Sequence, residues 1–203
     1  ELKTQLSRVA GVPMEPRSAL GEYDSGGRYI LQTTAGSIYR LKTKLSQILG
    51  EPDENIRVVI RDAGGSYGPR NALYFEHPLV LWAARRVGRP VKWTSDRTET
   101  MLTDYQARDL IIDASMAFDE DGRLVALHTM NTSNIGAYSA SWIPLVKGVE
   151  ISTVLYRVPS VSARAIAVQT NTPPTYPYRS AGRPEVMYAM ERMMDMAAQA
   201  TGL

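Results

Sequence analysis

The stretch "DAGGSYGPRN" at residues 62–71 places three glycines, a proline and a serine between two segments of regular pattern. Before it, "NIRVVIRD" (55–62) alternates apolar and polar residues, which predicts a strand with one buried face. After it, "EHPLVLWAARRVG" (76–88) predicts a helix that is apolar nearly all round and therefore buried. Glycines between a strand and a helix indicate either a tight turn or a backbone that closely approaches a ligand.

The rest of the chain predicts a mixture of strands and helices without strict βαβ alternation. A helix is expected at "SIYRLKTKLSQIL" (37–49), and a closing helix with five methionines at "PEVMYAMERMMDMAAQAT" (184–201). Helical methionine at this density is more typical of an adaptable core than of a ligand surface. Strands are expected at 28–34, 90–96, 108–118, 123–132 and 160–170, with the third and fourth forming a hairpin. The fold class is therefore predicted to be α+β, with mixed sheets and packed helices.

Composition excludes several kinds of site. The chain has 203 residues, 23 basic and 21 acidic. This balance disfavours a general polyanion binder but leaves room for a local anion site. It has no cysteine and two histidines, His77 and His128. Disulfides, thiolate metal sites and cysteine nucleophiles are therefore excluded within this chain, and the two histidines are too few and too far apart to predict a zinc site. No apolar run is long enough to predict a membrane span.

The first 26 residues are expected to be organised differently from the rest of the chain. Residues 1–26 contain Pro13, Pro16 and Gly21 and are predicted to form an irregular lead-in to a domain at 27–203. The chain starts without methionine and stops just after a helix, so we expect it to be a domain of a longer protein.

The glycine loop matches neither common nucleotide-binding pattern, since it is not GxGxxG and no G-K-[ST] follows it. A second loop, "YPYRSAGRPE" (176–185), again places small residues before a helix, between Arg179 and Arg183. Backbone amides at a helix start bind anions by donating hydrogen bonds to them. A phosphorylated cofactor between the two loops is therefore one interpretation. The alternatives are tight turns with solvated arginines, or a general phosphate- or nucleotide-binding module.

Five segments in order carry a family resemblance: "MEPR" with "GEYD" (14–24), "VIRDAGGSYGPR" (59–70), "ARRVGRPVKWTSDRTE" (84–99), "NIGAY" (134–138) and "YPYRSAGRPEVMYAMERMMDMAA" (176–198). Together they resemble the molybdenum-cofactor-binding large subunit of the xanthine dehydrogenase / aldehyde oxidase family, nearest its carbon monoxide dehydrogenase branch. The chain is similar to the first molybdopterin-binding domain of that subunit.

The resemblance implies a set of cofactor-binding residues in three segments. The family's GGGFG and Y-R-G-A-G-R-P-E patterns correspond to the two loops, and its T-Q-G segment corresponds to "TTAG" (33–36). The implied cofactor-binding residues are Ala35, Gly64, Gly65, Ser66, Tyr67, Gly68, Arg179, Ser180, Ala181 and Gly182. The implied cofactor is molybdenum–molybdopterin, in its cytosine dinucleotide form, with the metal held by the cofactor and not by side chains.

Four departures from the family pattern concern these same segments. Ala35 stands where the family has a glutamine that donates a hydrogen bond near a molybdenum ligand. Ser66 and Ser180 each replace a glycine, and Pro69 removes an amide after the first loop. They raise the alternative of a non-catalytic relative kept for assembly or interaction.

The resemblance also implies the setting of the domain. The parent would be an oxidoreductase that hydroxylates an aldehyde or N-heterocycle, or oxidises carbon monoxide, with oxygen from water. Its glutamate base lies in a second cofactor-binding domain, so no catalytic residue is expected here and the isolated chain is expected to be inactive. The partners implied are the remaining domains of the same chain and iron–sulfur and FAD subunits or domains, in the cytoplasm, without nucleic acid or membrane.

Overall fold

A computed structural model describes residues 1–202. The chain forms two compact units, unit 1 (Glu1–Ala10 and Tyr105–Leu203) and unit 2 (Gly11–Asp104). In chain order the strands and helices are β1 Leu2–Leu6, β2 Val9–Ala10, β3 Ser18–Tyr23, β4 Tyr29–Thr33, α1 Ile38–Leu49, β5 Ile56–Val59, α2 Glu76–Val87, β6 Val91–Thr94, α3 Arg97–Thr103, β7 Gln106–Ala107, β8 Leu110–Phe118, β9 Leu124–Gly136, α4 Ile143–Glu150, β10 Ser160–Gln169 and α5 Arg183–Thr201.

Unit 2 is a four-stranded mixed sheet covered by α1 and α2. Its strand order is β5-β4-β3-β6, with β4 and β5 parallel and the other neighbours antiparallel. The core contains Leu31, Leu45, Ile56 and Leu81, all essentially inaccessible to solvent. This confirms the predicted strands around 28–34, 55–62 and 90–96 and the helix over 37–49, with its N-cap at Ser37.

Helix α2 lies where the sequence predicts it, but the expectation that it is buried all round is wrong. Val80, Leu81 and Ala84 face the sheet, whereas Leu79 and Trp82 are more than half exposed. A helix on one side of a sheet buries one stripe only.

Unit 1 is a second mixed sheet packed against α5. Its strand order is β1-β8-β9-β10, and β8 and β9 form the predicted long antiparallel hairpin, while β10 runs parallel to β9. Met190 and Met193 of α5 are buried against Ile112 and Leu127. The methionine-rich helix therefore supplies core, as predicted, although Met187 and Met196 are exposed. Three sheets, two of them mixed, with separate helices confirm the α+β class.

The prediction that residues 1–26 are irregular is wrong, because β1, β2 and β3 lie within them. From the sequence, Gly21 is expected to break regular structure, yet it lies inside β3. A Cβ atom at Gly21 would lie 2.6 Å from the backbone carbonyl group of Val80. Glycine is thus required there because helix α2 crosses the strand at backbone distance, as is common for glycine within strands.

Helices α3 and α4 were not predicted. Helix α3 has a capping-box sequence, in which the carboxylate of Asp96 accepts a hydrogen bond from the amide of Glu99 at 2.7 Å. Helix α4 contains Pro144 and Gly148, two residue types that weaken a helical pattern in the sequence. Within the described residues, no helix has the length and apolar character needed to cross a membrane.

Candidate functional site

The first glycine loop needs its glycines for backbone conformation. Gly65 and Gly68 both have φ of +115°, a value that residues with a Cβ rarely adopt. The loop is followed by a single 3-10 turn, Pro69–Asn71, and α2 begins only at Glu76. Helix α2 begins at Glu76, as predicted, so the loop at 64–68 is not itself a helix start and receives no helix dipole.

A carboxylate from the "MEPR" segment joins this loop to the end of β4. Glu15 Oε2 accepts a hydrogen bond from the amide of Gly64 at 2.8 Å, and the hydroxyl of Thr34 lies 2.7 Å from both Glu15 carboxylate oxygens. A Cβ atom at Gly64 would lie 2.4 Å from the Cβ of Glu15. Gly64 is thus a glycine because Glu15 packs on it, and its amide is already bonded within the protein.

The next four amides of the loop are available to a ligand. Those of Gly65, Ser66, Tyr67 and Gly68 have no hydrogen-bond acceptor among residues 1–202. Successive unbonded amides in a turning backbone form a concavity that suits an anion or a polar ring edge. This is the feature of unit 2 that fits an anionic cofactor.

Ala35 lies beside this loop. Its neighbour Thr34 contacts Glu15, and the amide of Gly36 donates to the carbonyl of Arg70 at 3.0 Å. Ala35 itself is half-buried and packs against the hydrophobic core of unit 2. The fold therefore brings the "TTAG" and "GGSYG" segments together, as a shared site requires.

Beneath this loop lies a buried charged cluster that the sequence analysis missed. Arg17 Nε lies 2.7 Å from Glu76 Oε1, and Arg70 Nη1 lies 3.5 Å from Asp104 Oδ2. The Arg17 guanidinium also lies 4.3 Å from the centre of the Tyr74 ring. Arg70 donates to the carbonyl of Glu15 at 3.1 Å. Because Glu15 also binds the amide of Gly64, the cluster is linked to the loop. Arg17 belongs to the quoted "MEPR" motif, and that was the available signal.

His77 makes the stability of unit 2 dependent on pH. Burial, followed by the charges of Arg17 and Arg70, lowers its pKa to about 4 from 6.5. Its Nδ1 accepts the amide proton of Tyr74 at 3.3 Å, so the folded state holds the neutral ring. The neutral His77 ring therefore contributes fully to the unfolding free energy of unit 2 above about pH 6.5. This contribution is lost as the pH falls towards 4. It amounts to about 3 kcal/mol, at 1.36 kcal/mol for each unit of pKa.

We expect His77→Gln to flatten the dependence of unfolding free energy on pH between 7 and 4.5, measured by urea denaturation. His128→Gln is the matched control, because His128 is exposed on β9. If both variants kept the wild-type slope, His77 would not be the group that titrates.

The second loop begins a helix, as predicted. Gly182 is the N-cap residue of α5, with φ of +86°. The side chains of Arg179 and Ser180 are exposed, whereas Ala181 and Gly182 are buried. This loop therefore offers a cation and a hydroxyl to solvent directly before a helix of 19 residues.

The predicted site residues thus fall into two groups. Those from Ala35 to Gly68 lie together in unit 2, and those from Arg179 to Gly182 form one loop of unit 1. Sequence reasoning missed the residues that hold the two loops in place: Glu15, Arg70, Arg108 and Glu185.

The donor set fits a metal carried by a cofactor. Among residues 1–202, no three or more His, Asp or Glu side chains are grouped so that they could hold a metal ion. A metal carried by a cofactor needs no side-chain ligands, and the protein then supplies amides and charge around it.

Comparisons with known proteins agree with a cofactor-binding role for this chain. The gamma subunit of the 6-hydroxypseudooxynicotine dehydrogenase complex of Paenarthrobacter nicotinovorans is 34% identical over 99% of this chain and 26% of its own length. The carbon monoxide dehydrogenase large chain of Hydrogenophaga pseudoflava is 30% identical over 95% of this chain and 25% of its own. The structure of quinoline 2-oxidoreductase from Pseudomonas putida 86 superposes with a TM-score of 0.93 and 32% identity, covering 100% of this chain and 27% of that one.

The chain therefore spans about a quarter of the length of these relatives. None of the three is described as non-catalytic, so the alternative of a non-catalytic relative gains no support. The family model of the molybdopterin cofactor-binding domain matches residues 1–203, and the chain belongs to this family.

Proposed function

We propose that the chain forms the first molybdopterin-binding domain of a molybdenum hydroxylase, and that the cofactor is contacted by the loops at 64–68 and 179–182 and by Ala35. The observation that carries this proposal is the run of unbonded amides from Gly65 to Gly68, in a chain of the molybdopterin cofactor-binding family. The proposed cofactor is the cytosine dinucleotide form, whose phosphates suit backbone amides and the Arg179 guanidinium.

The bound group supplies the redox chemistry of a hydroxylation with oxygen from water, and the side chains described here orient it. The amides of Gly65–Gly68 bind polar atoms of the cofactor, while Glu15 keeps Gly64 and Thr34 in register. The proposed setting is a cytoplasmic complex with further domains of the same polypeptide and with iron–sulfur and FAD subunits or domains.

Metal analysis of the full-length polypeptide, purified with its partner subunits, tests this function. About one molybdenum per copy of this domain is expected, and a nucleotide assay of the released cofactor is expected to yield cytidine monophosphate. A complex without molybdenum would refute the proposal, and a cofactor without cytidine would refute only its dinucleotide form.

Ser66 is expected to supply the donor that Ala35 cannot. Ser66 is half-buried in the loop that Glu15 joins to the Ala35 segment. One preorganised donor can be worth ~3 kcal/mol in a transition state. Ser66→Ala is therefore expected to lower turnover of the full-length enzyme by roughly a hundredfold, and Ala35→Gln in that background is expected to recover part of the loss.

Steady-state kinetics at matched molybdenum content measure this effect. Ser25→Ala, at an exposed turn in the same unit, is the control and is expected to have wild-type activity. An active enzyme whose turnover is the same with Ser66→Ala as with Ser25→Ala would show that Ser66 is not the donor.

A further inference from the structure

The second loop has an unusual backbone. Arg179, Ser180, Ala181 and Gly182 have φ of 29°, 69°, 21° and 86°. Three of them carry a Cβ atom, and such residues are rarely stable with positive φ unless surrounding contacts fix them. The contacts that fix this loop therefore determine what it can present to a ligand.

One guanidinium reaches the start of this run of residues. Arg108 donates from Nη1 to Glu185 Oε1 at 2.8 Å and from Nη2 to the carbonyl of Arg179 at 3.1 Å. The same guanidinium lies 5.3 Å from the centre of the Tyr178 ring. Arg108 thus joins the first turn of α5 to the loop that precedes it.

Glu185, the acid that pairs with Arg108, is a buried charged residue. Glu185 is 2% exposed, and burying a carboxylate is costly unless it is paired and hydrogen-bonded. It lies in the first turn of α5, where the helix dipole favours a negative charge. The helix start and Arg108 are the two features that stabilise its charge.

The Glu185 side chain lines a small cavity of mixed polar and apolar residues. Glu185 Oε2 has no hydrogen-bond partner among the described residues, and neither has Asn131 Nδ2. Both side chains line the same cavity of about 10 Å³, which Leu145 and Gly148 also line. This is space for one water molecule, which could accept from Asn131 and donate to Glu185.

We propose that Glu185 and Arg108 are positioning residues that hold the 179–182 backbone in its left-handed conformation, and that one buried water bridges Glu185 Oε2 to Asn131 Nδ2. Together they link β9 to α5 and α5 to the carbonyl of Arg179. The consequence for cofactor retention rests on the proposed function, whereas the consequence for the loop does not.

Amide hydrogen exchange in the full-length complex tests the proposal. The reporters are the amides of Ala181 and Arg183, which donate to the carbonyls of Tyr178 and Ser180 at 3.0 and 3.2 Å. In Glu185→Gln their exchange is expected to be at least about tenfold faster, because the variant loses the charged acceptor of Arg108. Glu191→Gln is the control, since it makes the same change at an exposed site of α5.

Arg108→Lys separates positioning from general stability. Lysine keeps a cation near Glu185 but cannot reach Glu185 and the Arg179 carbonyl together in the planar geometry of a guanidinium. We expect a melting temperature close to that of the wild type, with accelerated exchange confined to the loop. Loop exchange at the wild-type rate in both Glu185→Gln and Arg108→Lys would overturn the positioning role.

The bridging water and the cofactor each have their own measurement. A high-resolution crystal structure of the complex is expected to contain a water between Glu185 and Asn131, and its absence would overturn that part. Where wild type contains molybdenum, both Glu185→Gln and Arg108→Lys are expected to lose it faster on gel filtration than Glu191→Gln does. Equal retention of molybdenum would overturn the link to the cofactor. If wild type contained none, the proposed function would fail while the exchange data still decided the role of the pair.

Discussion

Replacing Asp104 by alanine is expected to lower the unfolding free energy of unit 2 by about 3–5 kcal/mol, the cost of removing one partner from a buried ion pair. Asp104 pairs with Arg70 at 3.5 Å and with Arg17 at 3.9 Å, and it accepts the hydroxyl proton of Tyr74. Arg17 would keep Glu76 as a partner, at 2.7 Å. Arg70, 2% exposed, would have no carboxylate of residues 1–202 left within ion-pair distance.

Urea denaturation of Asp104→Ala and Glu51→Ala measures this prediction. Glu51 is the matched control, because its ion pair with Arg85 is in the same unit but at the surface, and such pairs contribute about 0–1 kcal/mol. Asp104→Asn keeps an acceptor for Tyr74 and removes only the charge, so it separates the hydrogen bond from the ion pairs. Equal destabilisation by Asp104→Ala and Glu51→Ala would contradict a central role for this cluster.

The elements that could be predicted from the sequence are those defined by local periodicity. Helix α1 places Leu41 and Leu45 on its buried face and is bounded by Ser37 and Gly50, so a window of 14 residues contains all its signals. The β8–β9 hairpin is likewise recognisable, because an acidic turn with Gly122 separates two apolar strands.

The errors arise where a contact distant in sequence decides the local structure. Gly21 is a strand residue because α2 crosses it, and Gly148 is a helix residue with Asn131 and Val186 against it. Neither partner can be identified from the sequence near the glycine. A breaker in the sequence can therefore mark close packing as readily as an irregular segment.

The candidate site could be predicted only in part for the same reason. Residue patterns left open whether the glycine loops are turns or anion sites, and the resemblance identified the segments of the candidate site. The contacts that shape the loops come from side chains far away in sequence: Glu15 bonds Gly64, and Arg108 bonds Arg179. Loops held by protein carboxylates and guanidinium groups are preorganised, which lowers the entropic cost of binding a cofactor.

Gly182→Ala is the second change with a large expected effect, and it tests that preorganisation directly. A Cβ atom at Gly182 would lie 2.1 Å from the carbonyl oxygen of Pro144 and 3.0 Å from the amide nitrogen of Gly148. The loop could accommodate it only by moving away from α4. Adding the strain of a left-handed residue to that of overpacking gives a loss of about 2–5 kcal/mol in the unfolding free energy of unit 1.

Gly202→Ala is a control within the same helix. Gly202 is the C-cap residue of α5 with φ of +76°, close to that of Gly182, but no atom lies within 4 Å of its Cβ position. Its substitution is expected to cost about 1 kcal/mol or less, the conformational part alone. The difference between the two variants therefore measures the contact of the loop with α4. If calorimetry gave the two variants the same melting temperature, the loop would not be held against α4, and the argument that its left-handed conformation is imposed by the surrounding protein would fail.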